Sequence, residues 1–79
     1  MKAILEFNLD EHEDEEAHLR CIKSTDLVIA INEIDNYLRG ELKYNDNLHP
    51  AARKALDNAR ERLYQILNER NINIDELIS

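Results

Sequence analysis

Two apolar series of helical period, one on each side of the single proline, most constrain what this chain can fold into. Leu27, Ile31, Ile34, Leu38 and Leu42 recur at steps of four, three, four and four, and Ala52, Leu56, Ala59, Leu63, Ile66 and Leu67 form a second series after Pro50. Such steps place one side chain per turn on a single helix face, so each series predicts an amphipathic rod. The polar connection from Tyr44 to His49 is short enough to fold the two rods into an antiparallel pair. The first rod is expected over about residues 25 to 43, opened by the cap-type residues Ser24, Thr25 and Asp26. The second is expected from about 50 to 70, with Pro50 at the first helical position, where its missing amide hydrogen leaves nothing unsatisfied. Asn71 suits a left-handed cap, and Asp75 the start of a last short turn through Ile78. Asp35 and Arg39, four apart in the favourable order, are placed on the exposed side of the first rod. Gly40 weakens its last turns by about 1 kcal/mol relative to alanine and points to fraying or a close helix crossing.

Ahead of the rods the pattern changes. Met1, Ala3, Leu5, Phe7 and Leu9 alternate with Lys2, Glu6 and Asn8, which is the period of a strand. A lone strand leaves backbone groups unpaired, so the expected partner is Asn71 to Ile74, which also alternates, or the same segment of a second copy. Asp10 and Glu13 have capping-box spacing, so another helix is expected from about residue 10. Its apolar arc holds Ala17, Leu19, Cys21 and Ile22 with His18 in the middle, opposite Glu13, Glu16 and Arg20. The expected fold is therefore mainly α. A short N-terminal β-strand precedes three helices, the last two form the antiparallel pair with the first crossing over them, and dimerisation completes the arrangement.

Seventy-nine residues make a single small helical domain, 1–79, in the size range where a monomer's core is marginal and oligomers supply missing burial. A homo-oligomer is the expectation. With four aromatics and no tryptophan, the apolar set describes thin helix seams and leaves little room for a substrate pocket. One cysteine, Cys21, makes no internal disulfide, and no stretch nears the ~18 apolar residues of a membrane span or has the pattern of an export signal. A cytoplasmic protein is expected, with no membrane partner.

The formal charge of -7 lies entirely in residues 1 to 46 and peaks in the run Asp10-Glu11-His12-Glu13-Asp14-Glu15-Glu16. Such a surface repels nucleic acid and suits a basic protein, so Asp10, Glu11, Glu13, Asp14, Glu15 and Glu16 are the candidate partner-binding residues. Two competing accounts are a plain solvated helix start and mimicry of phosphate charge. The acids cluster in one short segment where a mimic needs a groove-length series. The basic residues Arg53, Lys54, Arg60 and Arg62 are interleaved with Asp57 and Glu61, which reads as a salt-bridged solvent face.

Catalytic chemistry finds no constellation. Ser24 and Ser79 have no nucleophile-elbow context, the carboxylates of the run lack a dry pocket, and a single glycine makes no phosphate loop. His18 and Cys21 share a helix face with Asp14 and Glu15 one turn before, yet the paired second half of a zinc site is absent, His12 facing elsewhere and His49 lying in the connection. No enzyme, metal or cofactor is expected.

Four segments, MKAILEFNL, EEAHLRCIKSTDL, NEIDNYLR and ERLYQILNERNINIDEL, together span nearly the whole chain and resemble a family of small acidic helical proteins of tailed bacteriophages and prophages. Asp10 stands where many members have proline, and Asn71 where glycine is common; both changes suit helix boundaries. The resemblance implies a viral accessory protein in the host bacterial cytoplasm. Joined to the charge argument, it gives a non-enzymatic protein that binds a basic host factor and inhibits or redirects it. The alternatives are a structural helical homo-oligomer without a host target and an acidic nucleic-acid mimic.

Overall fold

The computed structural model describes residues 1–78; Ser79 lies outside them. It is mainly helical: α1 spans His12–Tyr44, α2 Pro50–Glu69 and α3 Ile74–Ile78. The two helices expected before Pro50 are one, of 33 residues. Ser24, expected to open the second of them, instead turns its Oγ back to donate to the carbonyl of Cys21 at 2.7 Å. A hydroxyl bonded within the preceding turn is accommodated in a helix interior, and no proline or glycine interrupts residues 12 to 39. The first helix therefore does not cross over the pair; it is the forward extension of one member.

The antiparallel pair is α1 and α2. Its register is set by Arg60 and Tyr64 bonding Asp35, and by Arg53 bonding the backbone near the end of α1, so positions falling along one helix meet positions rising along the other. The Arg53 guanidinium donates to the carbonyls of Leu42 and, at 3.1 Å, Asn45. It satisfies acceptors that a helix C-terminus leaves open and brings positive charge to the negative end of the dipole. His49 caps α2, its Nδ1 accepting from the Ala51 amide at 3.1 Å, with Pro50 at the first position as expected. Asn71 takes the left-handed conformation at φ 57°, and the amides of Asn71 and Ile72 donate to the carbonyls of Asn68 and Leu67, which is a Schellman ending. Asn73, rather than Asp75, opens α3 by accepting from the Asp75 amide at 3.0 Å.

Two expectations fail at the chain's ends and middle. No strand forms among the described residues: residues 1 to 8 have no regular structure, and Met1, Ile4 and Leu5 are exposed. The proposed partner segment is committed elsewhere, Asn71 to the cap and Ile74 to α3, so no free edge remains within the chain. Gly40 marks neither fraying nor a close crossing, because α1 runs on to Tyr44 and a methyl built there meets nothing within 4 Å.

The molecule measures 53 × 30 × 20 Å, close to the ~50 Å that 33 helical residues span. With 20 residues, α2 is too short to cover α1; α3 packs against α1 as well, and the exposed acidic first turns of α1 project as an arm. Little is buried. Leu67 is the one buried apolar side chain and Asp35 the one buried polar side chain among the described residues. The accessible surface is 7027 Å², whereas a compact monomer of 9.3 kDa presents about 5000 Å². An excess of about 2000 Å² follows from that scaling.

Candidate functional site

The acidic run begins at the turn before α1 and occupies its first turns. Helix residues advance by about 100°, so consecutive acids point in successive directions and the run forms a negative tip rather than a stripe. The expected capping box between Asp10 and Glu13 is replaced by a device centred on Asn8. Its amide donates to Asp14 Oδ2 at 2.9 Å, its side-chain oxygen accepts from the Asp10 amide at 3.1 Å, and its carbonyl accepts from the Glu11 amide at 3.1 Å. Glu11 is the N-cap residue and makes no side-chain cap bond, its amide goes to the Asn8 carbonyl, and the Asp14 carboxylate reaches past it to the Asn8 amide, so no capping box forms.

The six candidate residues divide accordingly. Asp14 is half-buried and engaged in holding the helix start. Glu16 is exposed and lies 3.1 Å from His12 Nε2, one turn away. Asp10, Glu11, Glu13 and Glu15 are exposed. Beside them a groove of about 590 Å³ is lined by Leu9, His12, Glu15, Glu16, His18 and Leu19. It combines apolar flanks with an acidic rim. Phe7 closes over the other side of His18, ring centroids 5.5 Å apart and tilted by 58°, which explains why a histidine at the centre of the apolar arc is only half-buried. Cys21 is half-buried three residues on, and no three His, Cys, Asp or Glu side chains converge for a metal among the described residues.

A second constellation escaped the sequence reading. Asp35, expected on the exposed side with Arg39, is buried between α1 and α2. Its Oδ1 accepts from Arg60 Nε at 2.9 Å, and its Oδ2 accepts from the Tyr64 hydroxyl at 2.7 Å. The Arg60 guanidinium also stands 5.7 Å from the Tyr64 ring centre, a cation–aromatic distance. Burial pushes the Asp35 carboxyl up, but the bonds from Arg60 and Tyr64, with the charges of Arg60 and Arg39, outweigh it and hold the group below its ordinary value. The same bond to Asp35, reinforced by burial, raises the Tyr64 hydroxyl above its ordinary value, and bonding to Asp35 raises Arg60. Each Asp35 oxygen accepts a bond, and no buried side-chain nitrogen or oxygen among the described residues lacks a partner, which is what a structural clasp requires.

The signal for it was present. On a wheel at about 100° per residue, Asp35 falls among Val28, Ile31, Leu38 and Leu42, so a charge stands on the packing face of α1, while Arg60 and Tyr64 stand one turn apart on α2. The basic face of α2 is accordingly not free solvent surface: Arg53 and Arg60 are spent on α1, and Arg62 lies 3.7 Å from Glu69. No helix is long and apolar enough to cross a membrane among the described residues. Set against known protein families, curated proteins and solved structures, the chain matches none.

Proposed function

We propose that this chain is a non-enzymatic accessory protein of phage type that binds a basic host protein in the bacterial cytoplasm, inhibiting or redirecting it through the tip of α1. The observation that carries the reading is the groove at that tip, where Leu9 and Leu19 offer apolar contact beside the carboxylates of Glu15 and Glu16. Apolar contact supplies affinity and the surrounding charge supplies approach and selectivity, so the fitting ligand is a cationic surface with a protruding apolar side chain. The position at the end of an arm beyond α2 leaves the tip accessible from several directions. Direct nucleic-acid binding has no support in so negative a surface.

The test is capture from bacterial lysate followed by binding kinetics with the captured protein. Reversal of Glu13, Glu15 and Glu16 to lysine, leaving Asp14 to hold the helix start, should slow association by about tenfold or more at low salt. Raising salt from 0.1 to 1 M, where the Debye length shrinks from about 10 to about 3 Å, should slow the unaltered protein likewise. Circular dichroism of the reversed protein should show the helical fold retained, with loss confined to fraying of the first turns of α1, where lysines oppose the helix dipole and the His12–Glu16 pair is gone. Binding insensitive to both changes rejects the reading in favour of contact through another face.

A further inference from the structure

Helix α1 carries two apolar faces, and the hairpin covers only one. Val28, Ile31, Asp35, Leu38 and Leu42 lie on the face toward α2, all buried or half-buried. About 100° around the helix, Leu27, Ala30, Ile34 and Tyr37 recur at steps of three, four and three, and all are exposed, Ile34 by 59% and Tyr37 by 67%. The same seven-residue pattern extends to Arg20 and Lys23 on one side and Glu41 and Tyr44 on the other, so an unbroken seam of three and a half heptads has an apolar centre and charged flanks. Leu19, Lys23, Leu27 and Ala30 already border an open apolar groove along it.

We propose that a second copy of this chain covers that seam, with the two α1 helices antiparallel and centred near Asn32. Three observations select this occupant and this orientation. The excess surface of about 2000 Å² in each chain exceeds the roughly 800 Å² per partner that a standard-size interface removes, so one chain has the uncovered area a dimer needs. In the antiparallel register Leu27 meets Tyr37 of the second copy and Ala30 meets Ile34, each pair occurring twice by symmetry. The same register sets Lys23 against Glu41 and Arg20 against Tyr44, an ion pair and a cation–aromatic pair at each flank. A parallel pairing instead stacks Arg20, Lys23, Glu16 and Glu41 each on its own copy. The antiparallel arrangement has one like-charge contact, Glu33 with its copy on the exposed rim beside the axis. It leaves both acidic tips free, about 60 Å apart by helix rise, so the dimer and the tip's partner do not compete.

The test uses the full chain in sedimentation equilibrium. The unaltered protein should sediment as a dimer, and Ile34→Glu should weaken association by about 30-fold or more, the scale of losing a central anchor, with helix content retained because Ile34 is exposed in one chain. Glu33→Gln should tighten the dimer by about twofold. Lys23→Glu should weaken it and Lys23→Glu with Glu41→Lys restore it, a rescue that a parallel dimer does not permit. In a Cys21→Ser background, Leu27→Cys mixed with Tyr37→Cys should oxidise to a mixed disulfide dimer faster than either alone. A protein monomeric at every attainable concentration, a dimer indifferent to Ile34→Glu, or faster cross-linking of Leu27→Cys with itself overturns the proposal. None of these results depends on the tip binding anything.

Discussion

The two halves of α1 share a helix but not the means of holding it. From Asn32 onward, the helix is bonded to α2 by Asp35 and by carbonyls that Arg53 satisfies, and it ends against a capped turn. Nearer its start, ahead of the part that α2 and α3 pack against, its bonds are local: the Asn8 turn, the Asp14 carboxylate, the His12–Glu16 pair and the Phe7–His18 contact. Local devices are each worth tenths of a kilocalorie to about one, and an isolated helix of that length is marginal in water. The arm is therefore the cheaper part of the molecule to deform. That fits the adaptable role proposed for the tip, whereas the hairpin supplies the fixed end from which it projects.

The sharpest way to break this contrast is to truncate one side chain in each half. Arg60→Ala leaves the Asp35 carboxylate buried with only Tyr64 for a partner and should cost about 2–4 kcal/mol. That is below the figure for a dry ion pair, since Arg60 keeps 25% of its side-chain surface in water. Leu19→Ala, in the arm and 54% exposed, should change stability by less than about 0.5 kcal/mol. Urea unfolding at one fixed protein concentration measures both, because association adds to apparent stability. Equal costs would erase the distinction between clasped and projecting helix.

The clasp also makes a prediction about pH that the arm does not share. Asp35 titrates below its unfolded value in the folded chain, so between the two values the unfolded chain binds more protons. Its contribution is complete above the unfolded value of about 3.9 and is lost as pH falls through the lower folded value. Tyr64 is raised, so its contribution is complete below the unfolded value of about 10 and is lost as pH rises through the folded one. The stability difference between the unaltered protein and Asp35→Asn should be flat at neutral pH and shrink in acid; that for Tyr64→Phe should shrink in alkali. Thermal melts across pH measure this, and a difference for Asp35→Asn that grows on acidification contradicts the assigned pairing.

What could be read from the residues divides along the same line. The α1–α2 hairpin, its loop, Pro50 at the start of α2 and Asn71 at its end follow from period and from backbone chemistry, which act within a few residues. The break expected at Ser24 did not occur because a cap-type residue has two local options, and bonding back to Cys21 keeps the helix whole. The strand failed because alternation describes a face without providing a partner: the segment offered to it was consumed by a cap and a short helix. Asp35 was misplaced because its pairing with Arg39 is visible at a spacing of four, whereas Arg60 and Tyr64 lie 25 and 29 residues away and enter only when the hairpin closes. The acidic tip was legible as charge but not as shape; that Leu9 lines one groove with Glu15, Glu16 and Leu19 depends on how the chain enters the helix.

The smallest expected effect falls on the first six residues, and it separates an ordered start from a strand. Alternation of Leu5 and Phe7 about Glu6 predicts that the opening supports the fold, yet Met1 to Glu6 are exposed and have no regular structure, while Phe7 rests on His18 and Asn8 organises the helix start. Deleting residues 1–6 should therefore leave the unfolding free energy within about 0.5 kcal/mol of the full chain, because no buried contact or satisfied bond leaves with them. Asn8→Ala in the full chain should cost more, about 0.5–1 kcal/mol, by releasing the turn that brings Asp14 to the Asn8 amide; it should act as faster amide exchange in the first turns of α1. Hydrogen exchange read by mass spectrometry distinguishes the two. If the deletion speeds exchange near Asn71 to Ile74, the opening does pair with that segment and the arm is braced from behind; if exchange changes only ahead of Val28, the start of α1 is held by its own residues alone.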